Sequence, residues 1–317
     1  MKLLVTGGCG YVGSVLVPRL AKAGHEVLVV DAQWFGNFLP PTENVKIVKK
    51  HFSEISLDDL TGIESVIHLA NVANDPSVEL NPVLSWEVNV LHTTQLLNMC
   101  KKTSSIRSFM YASSGSVYGV KDEDRVTEDL DLVPISAYNK TKMSAERVCL
   151  SYSNEFKVYC IRPATVCGVS PRMRFDVVVN MFVMHAHKNK KITVLGGDQV
   201  RPNIHIQDMA RVYEHFIDHP EIESGCYNAG FENISVMSIA EMVSEKFGVE
   251  IEVKPSNDPR SYRQDSTKLL ETGFTQTKYV ADAIDEIALK LASGEIKDDD
   301  RWYTVKWMSS NNIGDSK

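Results

Sequence analysis

The chain predicts an α/β fold, a doubly wound parallel sheet with helices on both faces and a smaller carboxyl-terminal unit. Three observations carry this. Short buried apolar runs alternate with helical patterns through the first half of the chain, as a parallel sheet covered on both faces requires. A glycine-rich turn, Thr6-Gly7-Gly8-Cys9-Gly10-Tyr11-Val12-Gly13, joins the first strand to the first helix. An acid, Asp31, closes the second strand.

The elements follow in order. Lys2–Thr6 is a short apolar run that ends in glycines, so it reads as a buried strand. Tyr11 to Ala23 carries apolar residues at helical spacing, and Gly24 closes it as a C-cap. Val27–Val30 is a second buried strand, Val45–Val48 with its flanking lysines a third, and Ser65–Ala70 a fourth. A helix from Leu84 to Lys101, a strand over Ser108–Ala112, a helix over Ala137–Glu155 and a strand over Val158–Ile161 complete the first unit. Right-handed crossovers wind such a series into a doubly wound sheet. After Arg162-Pro163 the rhythm loosens, and prolines, arginines and short elements mark a second unit. The acidic run Asp298-Asp299-Asp300 and the tail after Trp307 read as a solvated end, with Trp302 and Trp307 packing the last ordered segment down.

Composition removes several classes. The hydrophobic content of 43% over 317 residues is that of a globular protein. A net charge of −7 argues against a nucleic-acid surface. No apolar run approaches the roughly 18 residues of a membrane span. The apolar start stops at Thr6-Gly7-Gly8, short of a signal-peptide core, so a first strand in a cytoplasmic protein is expected. The six cysteines show no Cys-x-x-Cys and no metal spacing, which predicts reduced thiols and no metal site. His185 and His187 sit two apart on a helix and do not share a face, so a surface role is expected for them.

The glycine turn satisfies Gly-x-Gly-x-x-Gly through Gly8, Gly10 and Gly13, and Gly-x-x-Gly-x-x-Gly through Gly7, Gly10 and Gly13. Either pattern lets the backbone approach a pyrophosphate, which then faces the free N–H groups of a helix N-terminus. Gly7, Gly10, Tyr11, Val12 and Gly13 are therefore candidate cofactor contacts. Asp31 can accept from both ribose hydroxyls. Its charge would repel a 2′-phosphate, and Ala32-Gln33-Trp34-Phe35 supplies no arginine, so NAD is predicted over NADP.

Ser114 follows the strand ending at Ala112, and Tyr138 and Lys142 lie four apart on one helix face. Ser114 can donate to a substrate oxygen with which Tyr138 exchanges a proton. Lys142 and a positive nicotinamide ring would favour the phenolate, lowering the tyrosine pKa from about 10. A base near working pH suits reversible alcohol oxidation.

Together with His68-Leu69-Ala70, Val88-Asn89-Val90, Val117-Tyr118-Gly119 and Arg162-Pro163, these motifs resemble the extended short-chain dehydrogenase/reductases, in their NAD-dependent nucleotide-sugar epimerase/dehydratase branch. The resemblance implies a Rossmann-type NAD-binding domain over residues 1–165, rejoined by parts of 203–230, and a nucleotide-sugar-binding domain over 166–317. It implies that Asn89 supports the nicotinamide side and that Lys142 also holds the nicotinamide ribose. The loop of Leu69, Ala70 and Asn71 would edge cofactor and sugar. Asn180 and Arg201 would grip the nucleotide diphosphate, with Arg260 and Arg263 as a second phosphate contact. His205 would be structural. Relatives pair as homodimers through the helices holding Leu84–Lys101 and Ala137–Glu155.

Departures narrow the reaction. Asp31-Ala32 replaces the Asp-Asn of relatives, and Lys50-His51-Phe52 stands where many carry Gly-Asp. The dehydratases resembling this family place Asp-Glu directly after the Ser/Thr, where this chain has Gly115-Ser116. The 3,5-epimerases place a cysteine where Ser116 stands, and a serine is a far weaker acid. C4 epimerisation remains, with epimerase ahead of the alternative, a nucleotide-sugar 4-dehydrogenase or 4-keto reductase. Gly168-Val169-Ser170-Pro171-Arg172-Met173-Arg174 resembles a subgroup that includes GDP-heptose 4-dehydrogenases. Asp31 and Arg201 argue against NADPH-dependent reductases of simpler ketones. The intact Tyr138–Lys142 pair argues against a catalytically idle dinucleotide sensor.

Overall fold

A computed structural model describes residues 1–256 and 261–313. Its chain runs β1 (Lys2–Thr6), α1 (Gly13–Lys22), β2 (Glu26–Asp31), β3 (Val45–Lys49), β4 (Ser65–His68), α2 (Asp75–Leu80), α3 (Pro82–Trp86), α4 (Thr93–Lys101), β5 (Ser108–Ala112), α5 (Ala137–Leu150) and β6 (Lys157–Pro163). It continues through β7 (Thr165–Cys167), α6 (Val178–Asn189), β8 (Lys191–Leu195), β9 (Val200–His205), α7 (Ile206–Asp218), β10 (Gly225–Ala229), β11 (Glu232–Ser235), α8 (Val236–Phe247), β12 (Glu250–Lys254), α9 (Thr267–Leu270), α10 (Val280–Ala292) and α11 (Thr304–Ser310).

Seven strands form one sheet in the order β3-β2-β1-β4-β5-β6-β10, every neighbouring pair parallel. The strand order reverses between β1 and β4, which opens a crevice beyond their carboxyl ends. Alternation along each strand fills two cores. Leu3, Val5, Val27, Val29 and Ile67 point to one, and Leu4, Leu28, Val30, Val66 and Phe109 to the other. The first core continues without a break into α6 and α7 through Phe182, Val183, Met209 and Phe216.

Several element limits differ from expectation. α1 begins at Gly13 rather than Tyr11, because the glycine turn occupies Gly7 to Val12. Gly24 sits just past its end at φ +88°, a conformation that favours glycine. The helix expected from Leu84 to Lys101 is α3 and α4 joined by a π-helical turn over Glu87–His92. That widened turn carries Asn89, which is buried and faces inward. α5 ends at Leu150, and turns carry the chain to Glu155.

Beyond Pro163 short elements such as β7 and α9, of three and four residues, alternate with long helices. α6, α7, α8 and α10 run 12, 13, 12 and 13 residues, because the prolines fall between the helices and leave their apolar faces intact. β9 pairs with β7 and β11, and β8 with β12, in small separate sheets. β10 returns to the main sheet beside β6, and Arg19 of α1 meets Glu214 of α7 at 2.7 Å. Of the expected solvated end, residues 309–312 are exposed, while Met308 directly after Trp307 is buried. Trp302 and Met308 are 8% and 2% exposed, and α11 continues past Trp307. All six cysteines are free thiols.

One buried ion pair braces the carboxyl edge of β5. Glu146 of α5 takes Arg162 Nη2 at 2.6 Å on Oε1, and Arg162 Nε at 3.0 Å with the Ser113 hydroxyl at 2.7 Å on Oε2. Arg162 Nη1 donates to the Tyr118 hydroxyl at 2.6 Å, and Tyr118 donates to Asn228 of β10 at 2.8 Å. The pair ties α5, β6, β10 and the loop after β5 into one unit. Breaking a buried pair leaves an uncompensated charge. Arg162→Met is therefore expected to cost about 3–5 kcal/mol in urea unfolding. The double variant with Glu146→Met is expected to recover most of that loss. A single-variant cost below about 1 kcal/mol would contradict the assignment.

Candidate active site

A cavity of about 840 Å³ lies along the carboxyl ends of β1, β2, β4 and β5 and extends toward β8 and β9. The sequence-predicted residues Gly7, Gly10, Tyr11, Val12 and Gly13 line its first wall. Asp31, bonded to the glycine turn through the Cys9 N–H, lines it too, as do Leu69, Ala70, Asn71 and Arg201. Ser114, Tyr138 and Lys142 line the same cavity.

The glycine turn is shaped as a cradle. Gly7 has φ +70°, and a Cβ there would lie 2.6 Å from the Ala70 nitrogen. A Cβ on Gly13 would lie 2.5 Å from the Gly8 Cα. Gly8 does not line the cavity. A Cβ on it would meet Val29 Cγ1 at 2.8 Å, so Gly8 serves sheet packing. Of the two overlapping patterns, Gly7, Gly10 and Gly13 are therefore the one at the cavity. This close-approaching backbone, ahead of the α1 N-terminus, fits a dinucleotide pyrophosphate.

Asp31 Oδ2 accepts the Cys9 N–H at 2.9 Å, and Oδ1 accepts the Gln33 N–H at 2.6 Å. Burial pushes its carboxyl up, while those bonds and the nearby Arg172 pull it down. Sequence reasoning found no arginine near Asp31, and the fold brings one from afar. The Arg172 guanidinium lies 4.1 Å from the centroid of Phe35 and is 3% exposed. Its Nε has no hydrogen-bond partner among the described residues. Burial, then Arg174, pull its pKa down to about 9.

Lys142 is 1% exposed, and its Nζ donates to the Ala112 carbonyl at 2.6 Å. It stands 5.9 Å from the Tyr138 ring centroid and 5.0 Å from that of Tyr111. Burial lowers its pKa to about 7. Tyr138 is pushed up to about 12 by burial, with the Ser114 hydroxyl offsetting part of that. The expected lowering of Tyr138 is therefore absent from the protein alone. A desolvated amine near neutrality cannot by itself hold a phenolate. Ser114 Oγ and Ser116 Oγ lie 2.7 Å apart on the loop after β5.

Other predicted residues act differently from expectation. Asn89 does not line the cavity. Its Oδ1 accepts the Val72 N–H at 2.8 Å, and its Nδ2 donates to Val72 O and to Thr141 Oγ1, each at 3.1 Å. It pins the loop after β4 to α5. Asn180 is fully buried away from the cavity. It accepts the Gly168 N–H at 3.0 Å and donates to the Tyr11 hydroxyl at 2.9 Å and to Arg174 O at 2.8 Å. Its polar atoms are committed to ordering residues 168–174, so it is not placed to grip a diphosphate. Arg263 is exposed and off the cavity, and Arg260 lies outside the described residues. His185 faces the cavity rather than the surface. His205 is buried and bonds Glu286 at 3.2 Å. His68, held by Thr6 at 2.6 Å and Thr93 at 2.9 Å, is kept neutral by burial and by Lys142, with a pKa of about 3.

Sequence reasoning missed the groups around the Tyr138 hydroxyl. Asp75, Arg174 and Tyr262 line the cavity and act on Tyr138, Asp75 and Tyr262 raising its pKa and Arg174 lowering it. Arg174 Nε pairs with Asp176 Oδ1 at 2.8 Å. The only signal in the sequence was the unusual spacing of Arg172 and Arg174 after Gly168.

A doubly wound sheet, a glycine cradle at its switch point and a Ser-Tyr-Lys group beside it define a dinucleotide-dependent oxidoreductase-type site. Residues 3–230 match the model of the NAD dependent epimerase/dehydratase family, and the chain belongs to that family. It is 29% identical over 272 residues to a Bacillus subtilis protein described as an uncharacterized UDP-glucose epimerase, covering 78% of this chain and 83% of that one. It is 28% identical over 300 residues to the UDP-glucose 4-epimerase of Corynebacterium glutamicum, covering 87% and 91%. Among solved structures it resembles MoeE5 in complex with UDP-glucuronic acid and NAD, at 27% identity and a TM-score of 0.83 over 92% of this chain and all of the other.

The buried amine has a thermodynamic signature. In the ligand-free protein Lys142 loses its proton near pH 7, whereas the unfolded chain holds it to about 10.4. Between pH 7 and 9 the unfolded state binds more protons at this group, so its contribution to stability rises with pH. Urea unfolding of wild type and Lys142→Met is expected to diverge in favour of wild type by up to about 1.4 kcal/mol per pH unit in that window. A pH-independent difference would contradict a neutral buried amine.

Proposed function

We propose that the protein is an NAD-dependent 4-epimerase of a nucleotide-diphosphate sugar. The observation that carries this is one continuous cavity lined by the glycine cradle, by Ser114, Tyr138 and Lys142, and by Arg201. The cradle end suits the dinucleotide, with Gly7, Gly10 and Gly13 at the pyrophosphate and Asp31 at the adenosine ribose. The Arg201 end suits a second diphosphate, that of the sugar nucleotide. The relatives described as UDP-glucose epimerases support the same substrate class.

Bound NAD would supply a reversible hydride acceptor and a positive ring that favours the Tyr138 phenolate. The protein's own residues do the rest. Ser114 donates a hydrogen bond to O4 of the sugar. Tyr138 would take the O4 proton as the C4 hydrogen leaves as hydride to the cofactor, and would return a proton to O4 once the 4-keto sugar has turned and the hydride comes back to the opposite face of C4. Lys142 lies behind the phenol, and its protonation state is poised near neutrality by burial. Asn71, on the cavity wall, has an acceptor, Oδ1, without a hydrogen-bond partner among the described residues. No thiol stands where Ser116 stands, and Cys9 and Cys167 are pushed up by burial, so C3 or C5 proton transfer has no cysteine acid here.

We further infer a homodimer in the cytoplasm. Val83, Trp86 and Leu91 expose apolar surface at 66%, 41% and 52% on the helical face predicted to pair, and six free thiols suit a reducing compartment. Gel filtration with light scattering reads the dimer directly.

Tyr138→Phe removes the proton-transferring hydroxyl and leaves the cradle intact. Turnover of UDP- and GDP-sugars, followed by NMR, is expected to fall by about 10²–10⁴-fold while NAD binding is retained. Wild-type protein that converts no sugar of such a panel would overturn the assignment.

A further inference from the structure

The family match ends at residue 230, yet the last described segment reaches back into the cofactor end of the cavity. Thr304 and Met308 line that cavity and are 5% and 2% exposed. The segment is fastened to both walls. On the wall that follows β2, the Trp307 indole N–H donates to Trp34 O at 2.6 Å, and the Trp302 ring lies 5.0 Å from that of Phe38. On the opposite wall, the Thr304 N–H donates to Asp176 Oδ2 at 3.0 Å, and the Phe175 N–H donates to Trp302 O at 2.9 Å. Arg172 lies where the walls meet, over Phe35 and 3.5 Å from Thr304 Oγ1, its Nε unpartnered among the described residues.

We propose that residues 299–313 are a clamp belonging to the dinucleotide site, closing over the adenosine end of the cofactor and holding it from one turnover to the next. The occupant is the dinucleotide of the proposed function, on which this inference rests. Its place follows from the neighbours of the segment, since Trp34 and Phe35 directly follow Asp31. A bound dinucleotide could leave this end only after the Trp307–Trp34 and Thr304–Asp176 bonds opened together. The clamp therefore acts on the dissociation rate. Retention suits a 4-epimerase, which takes a hydrogen from its substrate and gives it back. A dehydrogenase must release its reduced cofactor every cycle. The clamp also reaches the chemistry, because Asp176 bonds both Thr304 and Arg174, and Arg174 acts on Tyr138.

The test is the rate of NAD release from the full-length protein, loaded with NAD and mixed with an excess of an NAD-consuming dehydrogenase as trap. Trp307→Ala is expected to release NAD at least tenfold faster than wild type, with an unchanged circular dichroism spectrum. Trp307→Phe keeps an aromatic ring and deletes only the N–H donor, and is expected to release it about threefold faster, or roughly 0.7 kcal/mol. If Trp307→Ala does not fold, Trp307→Phe alone decides. Equal release rates in wild type and the folded variants would overturn the clamp, even if sugars are epimerised. Faster release from the variants with no sugar turned over by wild type would sink the 4-epimerase assignment and leave the clamp standing.

Discussion

The site depends on keeping one amine, Lys142 Nζ, dry beneath the cavity floor. Burial of an ammonium without compensation is costly, and among the described residues this amine donates to the Ala112 carbonyl, at 2.6 Å. That geometry holds only while α5 is fixed against β5. Two buried attachments fix it. Glu146, one turn beyond Lys142, is bidentate to Arg162 and accepts the Ser113 hydroxyl just after β5. Thr141 is held by Asn89 from the π-helical turn. Glu146, Arg162, Asn89 and Thr141, which do not line the cavity, thus determine where this amine lies.

The same dryness sets the electrostatics of the reaction. Tyr138 is held protonated and Lys142 is released toward the neutral form, so this pair carries little charge of its own. A positive nicotinamide ring is then the group able to tip the phenol toward the phenolate, which couples proton transfer to the presence of oxidised cofactor. Arg174 favours that tipping and Asp75 opposes it. Since Arg174 is oriented by Asp176, and Asp176 by the backbone of Thr304, the acidity of Tyr138 is linked to the carboxyl-terminal segment.

Local patterns were legible in the sequence because their physics is local. Gly7, Gly10 and Gly13 mark a turn that only glycine can make, and Tyr138 and Lys142 share a helix face by their spacing. The first six strands of the sheet followed from alternating runs and differ from expectation by no more than a residue or two at each end, whereas β10 was not read as a strand. What failed depended on distant neighbours. Asn180 was read as a ligand contact from its place in a motif, but Tyr11 and Gly168 claim its amide. Arg172 was not placed beside Asp31, because that meeting requires the loop after β7 to fold back over β2. The reading of the tail after Trp307 as solvated holds for residues 309–312 and fails at Met308. The burial of Thr304 and Met308 on α11 becomes visible only once Asp176 and the cavity are in place. The break in the helix at Glu87–His92 left no trace in apolar spacing, which a π-helical turn barely disturbs.

The measurement that bears most directly on this chemistry is NMR of the product sugar after turnover in D2O. Oxidation and return of hydrogen at C4, with Tyr138, Ser114 and Lys142 as the proton-handling groups, predicts inversion at C4 with the original carbon-bound hydrogen retained there. It also predicts no solvent deuterium at C3 or C5. Inversion at C3 or C5, or deuterium incorporated at either carbon, would contradict it, as would an oxidised product with stoichiometric NADH released.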